Sequence, residues 1–170
     1  MIEYLHSLPN VLTVFYEITN GLTDFGIRLM SFVSVMVVLI HGLLVLFVMG
    51  CLSAFNKKYG SEKTKNIDIL IYFIVVLLIL LSHLVDIFIW TYAIVSVNVF
   101  PGVIKTFYFT GEMYTNLDHN DPIYNIGERW RILPILISFS GLFAIAISGA
   151  ALYTLLMSTF GQTAKSPKSS

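Results

Sequence analysis

The sequence predicts an all-α integral membrane protein with three transmembrane helices and one re-entrant half-helix between the second and the third. Of the 170 residues, 56% are hydrophobic and only 12% are charged, which is about half the charged fraction of an average soluble domain. The charges leave three long apolar stretches, each with the roughly 20 residues that a membrane-crossing helix needs. A further segment, between the second and third stretches, is aromatic and of helical length but too short to cross.

The composition excludes several classes of protein. A chain this apolar, with a net charge of zero, is neither disordered, nor a nucleic-acid-binding protein, nor an ordinary soluble enzyme. The single cysteine, Cys51, excludes an internal disulfide and a cysteine metal cluster. The sequence contains no recognisable nucleophile–base set and no phosphate-binding loop, so we predict that the protein is not an enzyme.

The first transmembrane helix is predicted for residues 27–56. Between Arg28 and Lys57 the sequence contains no Asp, Glu, Lys or Arg, and the apolar run is interrupted by His41. The run begins too far from the N-terminus, and is too long, for a cleaved signal peptide. Residues 1–26 combine few charges with mixed apolar character, and we predict a short interfacial segment there rather than a fourth crossing.

Residues 67–160 are predicted to form one membrane module that starts with an outer helix at 67–98. This helix is apolar but contains His83 and Asp86, and polar residues within a membrane span are costly and are functional candidates by default. The helix is expected to break at Pro101, because proline cannot continue a helix.

The rest of this module is predicted to be a half-helix, a polar loop and an inner helix. Residues 102–114 form the half-helix and residues 115–121 the loop. Irregular backbone at membrane depth is tolerated only where protein buries it or where it lines a water-filled path, so this arrangement suggests a pore loop. The inner helix covers 132–160 without any charge, and the tail at 161–170, rich in Ser and Lys, is predicted to be disordered.

The distribution of charges predicts the orientation, because loops on the cytoplasmic side carry an excess of lysine and arginine. The connection between the first two spans and the C-terminal tail are both lysine-rich, and three spans place them on the same side. The N-terminus and the acidic connection between the second and third spans then lie outside. The lysines are Lys57, Lys58, Lys63, Lys65, Lys165 and Lys168, and the outside acids are Glu3, Glu17, Asp24, Glu112, Asp118, Asp121 and Glu128.

The polar stretch 114–121 resembles the selectivity filter of the potassium-channel pore-loop family, which reads Thr-Thr-Val/Leu-Gly-Tyr-Gly-Asp after an aromatic residue. Thr115, Leu117 and Asp121 match this pattern without a gap, and Tyr114 fills the aromatic position. The resemblance extends over about residues 27–160. Segments similar to small bacterial members are Leu39-Ile40-His41-Gly42 in the extra first helix, Ser82-His83-Leu84-Val85-Asp86-Ile87 with Trp90 in the outer helix, and Glu128-Arg129-Trp130-Arg131-Ile132-Leu133 before the inner helix.

The resemblance implies a homotetramer in a lipid bilayer, in a bacterial inner membrane, that conducts a monovalent cation. Both filter glycines are replaced, by Asp118 and Asn120, and the filter tyrosine by His119. Asn and Asp tolerate left-handed backbone best among non-glycine residues, but their side chains take the space that glycine leaves for ions. Four copies would form a ring of carboxylates, which attracts cations without fine size selection. The filter-like loop consists of Thr115, Asn116, Leu117, Asp118, His119, Asn120 and Asp121.

Two functions remain open at this point. One is a weakly selective cation pore, and the other is a non-conducting accessory subunit of a larger membrane complex. Gly141 and Gly149 of the inner helix resemble the hinge positions of the family, and close helix packing is the alternative for each.

His41, His83 and Asp86 are predicted to meet inside the membrane. His83 and Asp86 share a helix face with Trp90, because the three lie at positions i, i+3 and i+7. The short lysine-rich connection makes the first two helices antiparallel neighbours. The cluster is either a polar staple between helices, a proton-linked or voltage-linked switch, or a histidine-liganded haem or metal site. We expect no resident cofactor, with haem or a metal as the third alternative.

Overall fold

The computed structural model describes residues 10–21, 23–59, 65–117 and 126–160, and in these ranges the chain is helical without a strand. Three of the helices are long and apolar enough to cross a membrane, which indicates an integral membrane protein and confirms the predicted helical class with three candidate membrane-spanning helices. The helices are α1 (Val11–Gly21), α2 (Phe25–Tyr59), α3 (Lys65–Ser96), α4 (Val103–Tyr114) and α5 (Leu133–Phe160), with a 3-10 turn at Glu128–Trp130.

The three long helices form a bundle in which α2 and α5 run in the same direction and α3 runs against them. Near the start of α5, the Ser34 hydroxyl of α2 donates a hydrogen bond to the Leu136 carbonyl at 3.2 Å. Towards the other end, Leu52 of α2 packs with Ile79 of α3 and Leu155 of α5. These contacts match the register that a short connection between α2 and α3 imposes.

The observed helix ends differ from the predicted ones by at most three residues, and the end of α3 has a different cause from the one we expected. This helix stops at Ser96, ahead of Pro101. Asn98 adopts a left-handed conformation with φ of 54°, and the Val99 amide donates to the Ile94 carbonyl at 3.4 Å. This is a Schellman cap, so the asparagine ends the helix and the expectation of a break at the proline is wrong.

The short helix α4 packs its buried face between α3 and α5. Its buried residues are spaced as i, i+3, i+4, i+7 and i+8, which is the pattern of an amphipathic helix. Phe109 packs edge-on against Phe100 with ring centroids 4.8 Å apart. The buried residues are Thr106, Phe109, Thr110, Met113 and Tyr114.

The C-terminal end of α4 is attached to α5 at backbone level. The Ser138 hydroxyl donates a hydrogen bond to the Met113 carbonyl at 2.9 Å, and the Tyr114 carbonyl faces Gly141 so closely that a Cβ atom there would overlap it. Gly141 lies roughly 12 Å along α5 from its first residue, at about 1.5 Å per residue. The end of α4 therefore lies well inside the stretch that α5 offers for crossing a membrane.

A second contact joins the start of α2 to the residues before α5. The Asp24 carboxylate accepts hydrogen bonds from the Gly26 amide at 2.7 Å and from the Arg129 guanidinium at 2.8 Å. The Trp130 ring lies over Gly26, where a Cβ atom would come within 2.6 Å of it. Trp130 is thus a packing residue between two helix starts.

We expect Asp24→Asn to lower the melting temperature of the detergent-solubilised protein at pH 7, and we expect this effect to shrink progressively as the pH falls below about 4. The hydrogen bond from Arg129 holds the pKa of the Asp24 carboxyl below its ordinary range. The contribution is therefore complete above the pKa of the unfolded chain and is lost as the pH falls through the lower pKa of the folded chain. Arg129→Gln should cause a similar loss at pH 7 that does not add to the first, and full additivity of the two would contradict the ion pair.

Candidate functional site

A continuous chain of hydrogen bonds connects four side chains between α2, α3 and α4. His41 Nδ1 donates to Asp86 Oδ2 at 2.6 Å, and the Tyr114 hydroxyl donates to the same oxygen at 2.6 Å. The Tyr114 hydroxyl has a single proton, which it directs at Asp86, so its oxygen can only accept from His83. His83 Nδ1 therefore donates to the Tyr114 oxygen, at 3.0 Å. The His41 and His83 rings stack at a tilt with centroids 4.5 Å apart. We call these four residues the polar cluster.

The third long helix completes the surroundings of His41. The Ser148 hydroxyl of α5 lies 2.8 Å from His41 Nε2, so both ring nitrogens of this histidine are occupied. His41 and Asp86 are both fully buried, with 0% exposure. Their position links the three long helices to one another through side-chain hydrogen bonds.

Asp86 is an acid in an apolar surrounding, and its charge needs compensation. The basic group that contacts it within the described residues is His41. Its second oxygen, Oδ1, is buried and has no hydrogen-bond partner among the described residues. A buried carboxylate with one unused oxygen has room for a further donor or for a cation.

Small residues on α5 allow the helices to approach closely enough for these contacts. Ser140, Ala144 and Ser148 repeat at every fourth position and are all buried, which is the small-residue spacing found where membrane helices pack. Ser140 also accepts a hydrogen bond from the Trp90 indole at 2.9 Å. Trp90 lies one turn beyond Asp86 on the same face of α3, so two successive turns of α3 are bonded to neighbouring helices.

The structure brings together the three residues that the sequence singled out inside the membrane, His41, His83 and Asp86. Sequence reasoning missed the contributions of Tyr114 and Ser148 to the cluster. Ser148 lies roughly 22 Å along α5 and His41 roughly 24 Å along α2, at about 1.5 Å per residue. Since these two helices run in the same direction, counting residues from the two outer ends could have paired them.

The first part of the predicted filter-like loop forms the end of α4. Asn116 is left-handed with φ of 56°, its amide donates to the Met113 carbonyl at 3.2 Å, and the Leu117 amide donates to the Glu112 carbonyl at 3.0 Å. This is again a Schellman cap, in which Thr115, Asn116 and Leu117 are exposed. The remaining loop residues Asp118, His119, Asn120 and Asp121 lie outside the described residues.

Gly141 and Gly149, the two glycines predicted as hinges from the resemblance to pore-loop channels, have different surroundings. Gly141 is buried against the Tyr114 carbonyl, whereas Gly149 is exposed and a Cβ atom added to it would meet nothing within 4 Å. The first is therefore a packing glycine in this chain. A hinge role for Gly149 stays a prediction.

The arrangement of the polar cluster does not fit a haem held between two histidines. The His41 ring packs directly on the His83 ring, with centroids 4.5 Å apart. Axial ligation by two histidines places the porphyrin between their rings, and this stacking leaves no space for it. A small cation does not need a space of that size.

Comparison of the chain with family models, with curated proteins and with solved structures finds no match. The function therefore has to be inferred from the geometry of the chain's own residues.

Proposed function

We propose that this chain is a subunit of an oligomeric membrane pore in which α4 is a re-entrant half-helix. The observation that carries the proposal is the depth of α4: its last residue, Tyr114, packs against Gly141, roughly 12 Å along a helix that can cross the membrane. At 12 residues α4 is about 18 Å long, short of the about 30 Å of a bilayer core. The chain is back at the start of α5 by Leu133, so it enters and leaves on the same side.

The charge and polarity around the end of α4 suit a cation. The C-terminus of a helix carries a partial negative charge, and here it points into the predicted membrane region. The residues that follow it include Asp118 and Asp121. A single half-helix cannot enclose a path, so several copies have to surround an axis, and the resemblance to pore-loop channels makes four the number we propose.

The lysine-rich connection at 57–65 and the acidic connection at 112–128 give the orientation that we propose. By the positive-inside rule the first is cytoplasmic and the second outside. The start of α4 then faces the outside, and its C-terminus lies at membrane depth.

The pore is tested by ion flux from liposomes that contain the purified protein. We expect flux of both K⁺ and Na⁺ with little selectivity, and a reduction of at least tenfold in Asp118→Asn, because this change removes the carboxylate ring that attracts cations. Asp68→Asn is the matched control, since it removes an acid from the other end of the bundle and should leave the flux unchanged. Absence of flux, or equal flux in the two variants, would refute the proposal.

A non-conducting accessory subunit is the second candidate, and the cap of α4 favours it. In the filter of the pore-loop family the residues at these positions direct their backbone carbonyls at ions. In this chain Thr115 and Asn116 instead close the helix, and the Thr115 hydroxyl donates to the Gly111 carbonyl at 2.8 Å. Gentle solubilisation separates the candidates: a pore subunit isolates as a homo-oligomer, and an accessory subunit isolates with unrelated membrane chains.

A further inference from the structure

We infer that the polar cluster is a binding site for one divalent transition-metal ion, with zinc the best match. One ligand atom from each of His41, His83 and Asp86 lies within 4.8 Å of the others. The Tyr114 oxygen lies within 3.0 Å of both His83 Nδ1 and Asp86 Oδ2 and completes a set of four. Zinc is bound in tetrahedral geometry by histidine nitrogens and carboxylate oxygens, which His41, His83 and Asp86 supply, and the Tyr114 oxygen would take the fourth position. Imidazole nitrogens select zinc, copper or nickel over magnesium and calcium.

The charge of Asp86 is the first argument for a cation here. The carboxylate is fully buried, its Oδ1 atom has no partner among the described residues, and two histidines rather than a lysine or arginine line the cluster. A buried charge is tolerated when it is paired or when it coordinates a metal. A metal ion placed among the four side chains would offset the charge of the carboxylate.

The contact between His41 and Ser148 is the second argument. Metal-binding histidines almost always direct their other ring nitrogen at an oxygen, which fixes the tautomer and the ring orientation. Ser148 Oγ lies 2.8 Å from His41 Nε2. In the hydrogen-bonded cluster Nδ1 carries the proton that it donates to Asp86. Metal binding at Nδ1 requires the other neutral tautomer, in which the proton has moved to Nε2 and is donated to Ser148, so that Nδ1 would present its lone pair to the position where Asp86 and Tyr114 converge.

The spacing of the cluster allows an ion to enter with small movements. Neighbouring donor atoms lie 2.6 to 3.0 Å apart, and a tetrahedral zinc ion with bonds of 2.0–2.1 Å separates its ligands by about 3.3 Å. Neighbouring donor atoms must separate by less than about 1 Å, and the more widely spaced ligand atoms of His41, His83 and Asp86, which lie within 4.8 Å of one another, must approach by up to about 1.5 Å. A groove of about 280 Å³ between α3 and α5 has His83 and Ser148 in its wall.

The test uses tag-free, full-length protein in detergent, stripped of metal with a chelator and then titrated with Zn²⁺ or Co²⁺. We expect about one ion per chain, a rise in melting temperature with Zn²⁺, and visible absorption from four-coordinate Co²⁺ that Zn²⁺ abolishes. His83→Gln should weaken binding at least a hundredfold, because it removes a ligand at the partly exposed edge of the cluster. Ser148→Ala should weaken it ten- to a hundredfold, because it removes only the support of His41.

The double variant His6→Gln/His119→Gln is the matched control. It removes the other two histidines of the chain and should bind Zn²⁺ as the wild type does. Loss of binding in this control with retention in His83→Gln would overturn the assignment, and so would a stripped wild-type protein that takes up no Zn²⁺. Metal binding does not depend on conduction, so a protein without flux that still binds Zn²⁺ refutes the pore and leaves this site standing.

Discussion

Replacing Asp86 with alanine should lower the free energy of unfolding by about 1 to 3 kcal/mol for each of the two buried donors that it leaves without an acceptor. His41 Nδ1 and the Tyr114 hydroxyl both donate to one oxygen of this carboxylate, and the substitution leaves both donors buried without an acceptor. Asp86→Asn should cost less, because the amide keeps one oxygen in place. Chemical unfolding in mixed detergent, followed by the helical circular dichroism signal, measures both values.

Val85→Ala is the control for the Asp86 variants. It shortens a neighbouring side chain on the same helix that is 39% exposed, and truncation at such a position changes stability by about 0.5 kcal/mol or less. In a double-mutant cycle, Asp86→Ala and Tyr114→Phe should show a coupling energy within the roughly 0.5 to 3 kcal/mol range of contacting residues. An Asp86→Ala protein as stable as the Val85→Ala protein would contradict the buried network.

Gly141→Ala should separate the end of α4 from α5 and destabilise the protein by about 1 to 3 kcal/mol, the usual cost of overpacking. The added Cβ atom meets the carbonyl of Tyr114, which is backbone and cannot rotate away as a side chain can. The displacement would also stretch the bond from the Ser138 hydroxyl to the Met113 carbonyl. We expect faster proteolysis in the connection that follows α4, in addition to the lower melting temperature.

Gly149→Ala is a closely matched control for this prediction. It makes the same chemical change on the same helix two turns further on, at an exposed site with open space. Alanine favours the helix over glycine by about 0.5 to 1 kcal/mol, so this variant should be as stable as the wild type or slightly more stable. Equal behaviour of the two glycine variants would show that α4 does not press on Gly141.

The membrane character and the order of the helices follow from the sequence because both depend on local properties. The apolar run after Arg28 and the charge-free run after Ile132 each determine a helix whatever surrounds it, since the backbone of a membrane segment has to satisfy its own hydrogen bonds. The meeting of His41 with Asp86 was also predictable, because a short connection forces α2 and α3 to be antiparallel and a polar residue in each span sits at a similar depth.

Other features have only a weak local signal or depend on packing. Asn98 and Asn116 end α3 and α4 in left-handed conformations, whereas the proline at 101 was the stronger local signal for the first of these ends. Tyr114 reads from the sequence as the residue before a filter-like loop, and nothing in its neighbours directs its hydroxyl at Asp86, 28 positions earlier.

Local properties of the chain predict a helical protein with three segments long and apolar enough to cross a membrane, a short helix before the third of them, and histidines and an acid within the apolar helices. The tertiary structure alone decided that the short helix ends against Gly141 and that Tyr114 and Ser148 join the two histidines and Asp86. The two kinds of feature differ in the distance along the chain over which their causes act. Apolar length and capping act over a few residues along the chain, whereas a shared hydrogen bond between α2, α3, α4 and α5 exists only once small residues let those helices come into contact.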